Sequence, residues 1–173
     1  MGPHSKQRGL PTAVIDNTLL SRLVQLEVAE LLPYLFRRIL IPPEVKREAY
    51  KAPHRGKRRL RKLIAEMGGY LIDCYEVDDV VKNILMADLD EGEAAAIAQA
   101  EHTGSVVLVD ERKGFKRAEI MQLTAIRTTR ILTMLKEAGA IAAVTPYFDK
   151  LAKTGFYLRD EVRTQLLADA GEI

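Results

Sequence analysis

The chain has 173 residues, 47% of them hydrophobic and 29% charged, with 26 Lys+Arg against 24 Asp+Glu for a net charge of +2. That size and apolar content suit one domain with a real core, and the near balance of charge names no nucleic-acid partner, so any basic footprint must be local. One cysteine, Cys74, excludes an intrachain disulfide framework and fits a reducing cytoplasm, and no apolar run approaches the ~18–20 residues that span a bilayer.

Residues 1–11 hold no apolar stretch of the secretory-signal kind. They read as a disordered lead-in or a cloning remnant, with 12–173 as a single domain. Thr12 to Ile15 is a β-branched run that predicts a strand, and Asp16-Asn17-Thr18 after it is helix-start chemistry. Leu19, Leu20, Leu23, Val24 and Leu26 then recur at helical spacing. A second helical pattern, Val28 to Phe36, holds Pro33, which is expected to kink or split it. Arg38 to Ile41 predicts a strand, and Pro43 suits the first turn of a helix over Glu44 to Tyr50 that puts Glu44 and Glu48 on one face.

Ala52 to Gly56 is a breaker cluster. Arg55 to Lys62 carries six cations in eight residues and runs on to Met67 as a basic amphipathic helix, stopped by Gly68-Gly69. Tyr70 to Tyr75 predicts a strand and Asp78 to Met86 a short helix. An Ala-rich helix over Asp90 to Glu101 has Glu93 in its first turn and Gly104 as its stop. Ser105 to Val109 is a buried strand that delivers Asp110. Glu111 to Met121 reads as a helix, Leu123 to Ile126 as a strand, and Thr128-Thr129 as the cap of a helix to Ala138. Helices from Pro146 to Gly155 and from Arg159 to Ala170 complete the chain.

Strands alternating with helices predict an α/β fold: a three-layer α/β/α sandwich around a mainly parallel sheet of about five strands. In such sheets ligands sit outside the carboxyl ends of the strands. Two apolar strands that each end in Asp would bring Asp16 and Asp110 to one rim, where Glu93 joins them from a helix start. Converging carboxylates ask for a cation, and Mg²⁺ or Mn²⁺ is the kind that takes oxygen ligands. Such an ion can activate water against a phosphodiester without His or Cys. His4, His54 and His102 show no metal-ligand spacing, and neither a Walker loop nor a G-x-S-x-G elbow is present. Each acid also has a bland role beside this one. Asp16 and Asp110 suit helix caps, and Glu93 suits a helix dipole.

The stretches Ala13-Val-Ile-Asp16-Asn-Thr-Leu-Leu, Ile39-Leu-Ile-Pro-Pro-Glu-Val-Lys-Arg-Glu48, Leu89-Asp-Glu-Gly-Glu93-Ala-Ala-Ala and Val106-Val-Leu-Val-Asp110-Glu-Arg-Lys resemble a PIN domain. The resemblance is to the PIN-like subgroup long catalogued as a domain of unknown function (the DUF3368 type), and Gly155-Phe-Tyr-Leu-Arg-Asp-Glu-Val is similar to that subgroup's C-terminus. Residues 12 to 172 are covered. The resemblance implies a rim of acids that binds Mg²⁺ or Mn²⁺ and cleaves single-stranded RNA, often as the toxin half of a toxin–antitoxin pair and as a homodimer. Carried over residue by residue, the candidate catalytic carboxylates are Asp16, Glu48 (with Glu44 as competitor), Glu93 and Asp110. The metal-ligand set is Asp16, Glu93, Asp110 and Glu111, and one or two ions are compatible with it. Glu93 stands where many PIN ribonucleases have Asp. Thr18 is a candidate to position a water or a phosphate, or a helix-start hydroxyl only.

The cations Arg55, Lys57, Arg58, Arg59, Arg61 and Lys62 are candidates to track an RNA backbone; a solvated helix face is the alternative. Other functions compete with the nuclease. A non-catalytic PIN-like module that binds RNA or protein needs no metal-dependent cleavage. A phospho-acceptor receiver needs an Asp after the third strand and a Lys after the fifth, and Leu123–Ile126 leads instead to Arg127. A flap-type DNA nuclease needs a larger acid set.

Overall fold

The computed structural model describes residues 9–51, 55–74 and 79–173, and the side chains of 55–57 and 79 lie outside that description. The proposed lead-in is therefore described only from Gly9, and the Pro11 carbonyl already accepts a hydrogen bond from the Arg37 N–H at 2.9 Å.

The strands β1 (Thr12–Ile15), β2 (Arg38–Ile41), β3 (Leu71–Asp73), β4 (Val106–Leu108) and β5 (Ala125–Ile126) form one five-stranded sheet in the order β3-β2-β1-β4-β5. All described pairings are parallel. Parallel neighbours need crossover connections, and the helices supply them: α1 (Asn17–Gln25), α2 (Pro43–Lys51), α3 (Arg55–Glu66), α4 (Asp79–Leu85), α5 (Glu91–Thr103), α6 (Arg112–Ile120), α7 (Thr128–Glu137), α8 (Thr145–Lys153) and α9 (Asp160–Asp169). From β1 the chain builds outward to β2 and β3, then returns to the other side of β1 for β4 and β5. The order reverses between β1 and β4, which makes their carboxyl ends the crevice of the sheet.

Two-residue periodicity sends alternate strand side chains to opposite faces. Ala13, Ile15, Ile39, Ile41 and Leu108 enter one core with Leu19, Leu20 and Leu23 of α1, Leu60 of α3, and Ile131, Leu132 and Leu135 of α7. Val14, Val107 and Val109 enter the other with Leu85 of α4, Ala94, Ile97 and Ala98 of α5, and Ala118 of α6. The sheet is thus covered on both faces, which is why its strands are continuous apolar runs. Every residue of α5 from Gly92 to Ala100 is buried, and its small side chains let it pack closely. It ends at Gly104, which adopts φ of 63°, a left-handed value that glycine takes without a Cβ penalty.

Some expected elements differ. The 28–36 pattern is a 3₁₀ helix over Ala29–Tyr34 with Pro33 inside it, since a ring without an N–H is tolerated in a short, tight turn. The third strand is shorter than Tyr70–Tyr75: Tyr70 turns into the sheet with its hydroxyl donating to the Phe36 carbonyl at 2.9 Å, and Tyr75 lies outside the described residues, as does Asp78 at the start of the helix that becomes α4. The residue that flanks α7 is Arg127, and Thr128 has another partner, described below. Near the far end of the chain the Glu172 carboxylate accepts from the Lys136 ammonium at 2.8 Å, the Val144 N–H at 2.6 Å, the Thr145 N–H at 3.0 Å and the Thr145 hydroxyl. Burial pushes its acidity down, but these donors outweigh burial and lower the pKa to about 2.

Candidate active site

Asp16 leaves β1 at the crevice. Its N–H donates to the Leu108 carbonyl at 3.2 Å, which extends the β1–β4 pairing by one step. It is the N-cap of α1: Oδ1 accepts from the Leu19 N–H at 2.7 Å. The residue is 1% exposed, and Oδ2 is buried with no hydrogen-bond partner. Capping therefore accounts for one oxygen and leaves the other without a donor. Burial raises the carboxyl pKa well above its usual value; the Leu19 N–H opposes this, and the charges of Asp110, Glu93 and Asp90 add to it.

Glu93 arrives from the start of α5. There Asp90 is the cap and accepts from the Glu93 N–H at 2.8 Å, and the Asp90 backbone N–H donates in return to the Glu93 carboxylate, the reciprocal pattern of a capping box. Glu93 is 6% exposed, and its Oε1 is also buried without a donor. Burial first, then the charges of Asp90 and Glu111, raise its pKa to about 7, while the Asp90 backbone N–H, donating to the carboxylate, and Lys113 pull it back. The carboxylate lies on Gly114 of α6: a Cβ there would stand 2.7 Å from Glu93 Oε1 and 3.0 Å from Val109 Cγ2. Alanine normally stabilises a helix interior relative to glycine by ~1 kcal/mol. At this position the sign reverses. Gly114→Ala is expected to destabilise by about 1–3 kcal/mol through overpacking and to displace Glu93; chemical denaturation of the variant checks it.

Asp110 follows Val109 beyond β4. Its Oδ1 accepts from the Thr128 N–H at 2.8 Å and its Oδ2 from the Thr128 hydroxyl at 2.6 Å. The Arg22 guanidinium also donates to Oδ2 and forms an ion pair there. Glu48, on α2, accepts from the Asn17 side-chain amide at 2.8 Å, and its Oε1 would meet a Cβ on Gly92 at 3.2 Å. Glu48 therefore lies between the residue after Asp16 and the start of α5. Its competitor Glu44 turns to Lys82 at 2.9 Å and Arg47 at 3.7 Å. Glu111 is exposed at the start of α6 with no side-chain cap bond, and Thr18 lies in the first turn of α1.

The fold thus brings the charges of Asp110, Glu93 and Asp90 to bear on Asp16 at the end of β1, with Glu48 beside Asn17 and the start of α5. Among the described residues, no three Asp, Glu, His or Cys side chains are grouped closely enough to hold an ion as they stand. At Asp110, Arg22 and Thr128 already take the carboxylate oxygens. Two buried carboxylate oxygens without donors are nonetheless of the donor type that a hard cation such as Mg²⁺ or Mn²⁺ takes. Cys74 offers no alternative nucleophile, because burial first and the charges of Asp73 and Glu44 next push its thiol up to about 12.

The basic helix is placed differently from the acids. Arg59 pairs with Glu27, which follows the far end of α1 from Asp16, and Lys62 pairs with Glu66 at 3.5 Å. Nine residues of α1 put about 14 Å between its two ends. Arg61 donates to the Ala49 carbonyl at 3.4 Å and lies 6.0 Å from the Tyr50 ring centroid, on α2. Arg58 is exposed, and the Arg55 and Lys57 side chains lie outside the described residues. Arg22, Asn17, Gly92, Gly114 and Thr128 join the site without having been singled out for it. Gly114, a lone glycine inside the basic run Arg112 to Arg117, is the one with a readable signal.

The DUF3368 family profile, described as a PIN domain, matches residues 12–172. No curated protein matches the chain. The crystal structure of FitAcB from Neisseria gonorrhoeae is similar at 11% identity, covering 66% of this chain and 96% of that one, with a TM-score of 0.45. With the profile match running from the first strand to the penultimate residue, the chain belongs to the PIN-domain family of the DUF3368 type.

Proposed function

We propose that the protein is a metal-dependent endoribonuclease that cleaves single-stranded RNA at the β1–β4 crevice. One observation carries the reading: Asp16 Oδ2 and Glu93 Oε1 are buried at one strand end with no donor, and each carboxyl is raised in pKa. Such groups are costly in the bare protein and are relieved by a cation. Asp16 and Glu93 would hold Mg²⁺ or Mn²⁺ with Asp110 and Glu48, and Glu111 would stand at the edge. When bound, the ion supplies Lewis acidity toward a phosphodiester and lowers the pKa of water. Thr128 fixes Asp110, Asn17 orients Glu48, and a bound cation would favour the charged carboxylates of Asp16 and Glu93 that burial disfavours.

RNA would reach the crevice over α2. Lys46, Arg47 and Lys51 line a groove of about 600 Å³ with Tyr50, which is 46% exposed, and with Asp73, which pairs with Lys46 at 2.8 Å, while Arg47 pairs with Glu91 at 3.5 Å. Cations beside an exposed aromatic suit a single-stranded backbone and a stacked base. Arg61, directed at Tyr50, connects that groove to the α3 cations Arg58, Arg59 and Lys62 and, in sequence, to Arg55 and Lys57. A cytoplasmic homodimer partnered by a small antitoxin extends the same reading to the whole protein's role. Among the described residues no helix is long and apolar enough to cross a membrane.

The second reading, a PIN-like module that binds RNA or protein without cleaving, is favoured by one feature, the occupation of Asp110 by Arg22. Incubation of a labelled single-stranded RNA with parent and Glu93→Gln, in Mn²⁺ and in EDTA, decides between them. Mn²⁺-dependent cleavage that falls at least ~100-fold in the variant supports the nuclease. Binding without cleavage by the parent, or cleavage indifferent to EDTA, removes it.

A further inference from the structure

Arg22 stands on the last turn of α1, yet its guanidinium reaches Asp110 at the rim. Helical side chains tilt toward the N-terminus, so a long side chain there points back along α1 toward the Asp16 end. The seat is built from two further parts. The Asp110 side chain is 2% exposed and that of Arg22 is 19% exposed. The guanidinium also lies 4.6 Å from the centroid of the Phe156 ring, which comes from the segment between α8 and α9. A planar cation held between a carboxylate and an aromatic face loses little further freedom in its bond.

Asp110 does not need this partner to be satisfied, because Thr128 gives each of its oxygens a donor. A carboxylate has about four acceptor positions, and Arg22 takes one that a cation would otherwise use. Meanwhile the neighbouring acids Asp16 and Glu93 each retain an oxygen without a donor. We propose that Arg22 is the resident cation of the acid rim: from its seat on Phe156 it competes with a divalent ion for Asp110, so that the ion's affinity is set by how firmly Arg22 is held. This rests on the metal-dependent reading of the same rim. A guanidinium at Asp110 both blocks an oxygen and repels an incoming dication, and each effect weakens binding in the same direction.

The test is a Mn²⁺ titration, followed by electron paramagnetic resonance, of the parent, Arg22→Gln, Arg22→Lys and Phe156→Ala. Arg22→Gln is expected to bind Mn²⁺ about 10-fold more tightly than the parent, a coupling of ordinary size. Arg22→Lys, which keeps the charge but not the planar fork, should fall between them, and Phe156→Ala should shift the same way by less. A merely structural arginine predicts the reverse, with weaker Mn²⁺ binding in Arg22→Gln. Unchanged or weaker binding, or no measurable Mn²⁺ binding by any of the four, overturns the proposal. Cleavage assayed on the same samples keeps the two ideas separate. A tighter-binding variant beside a parent that cleaves no RNA supports the Arg22 inference while the nuclease reading falls. An unchanged Kd beside a parent that cleaves does the opposite.

Discussion

Asp16→Asn is expected to lower metal-dependent RNA cleavage by at least ~100-fold and, in EDTA at pH 8, to raise the melting temperature. The two effects share one cause. Asn caps a helix about as well as Asp, so its amide oxygen can keep the bond from the Leu19 N–H. What disappears is a buried carboxyl whose second oxygen has no donor and whose ionisation is opposed by burial and by the charges of Asp110, Glu93 and Asp90. Relief of an unpaired buried charge is commonly worth ~0.5–2 kcal/mol, or a few degrees for a domain of this size. Activity falls because the same oxygen is the proposed ligand. Scanning calorimetry and an RNA cleavage assay on one preparation check both halves. A variant that melts lower and still cleaves would show that Asp16 is a cap and nothing more.

The second large effect is a stability that falls with pH in the metal-free protein. Glu93 titrates at about 7 when folded against an ordinary 4.5, and Asp16 is displaced in the same direction from 3.8. The folded state therefore holds protons that the unfolded chain has released, and stability declines as pH rises over that interval. The contribution is fully present below the unfolded value of 4.5 and is lost as pH passes through about 7. Glu172 behaves oppositely: lowered to about 2, it stabilises above 4.5 and loses that contribution only in stronger acid. It leaves the range from pH 5 to pH 8 undisturbed. In EDTA the melting temperature is expected to be lower at pH 8 than at pH 5.5 by about 3 °C or more. Mn²⁺ supplies the missing positive charge, so its stabilisation should grow across the same interval. A flat profile in EDTA, or Mn²⁺ stabilisation that shrinks with pH, would contradict these assignments.

The architecture was legible because each strand is a short apolar run between turn residues, and a sheet covered on both faces writes itself that way. Asp16 and Asp110 stood out for the same reason, each being the first charge after such a run. Their register across β1 and β4 then follows from the fold. Arg22 was not legible: on an amphipathic helix it reads as one more polar-face residue, and only the tertiary structure brings Phe156 and Asp110 around it. Thr128 was read as a helix cap, the usual role of a hydroxyl at that position, but its hydroxyl turns to an acid eighteen residues upstream. The basic helix shows the converse difficulty. A run of cations is plain in the sequence, as is the i,i+4 pair of Lys62 with Glu66, whereas Glu27, the acid that partners Arg59 beyond the end of α1, is visible only in three dimensions.

The burial of α5 on every side bears on how this rim can change over evolution. A helix wedged between a sheet and its neighbours, with alanine at most inward positions, has almost no freedom to rotate or slide. Glu93 is mounted on that rod, so its carboxylate is effectively bolted to the scaffold. Divergence in what the rim accepts must then come from the elements around it, through α1, α2 and the α8–α9 segment, while α5 serves as the fixed datum against which they move.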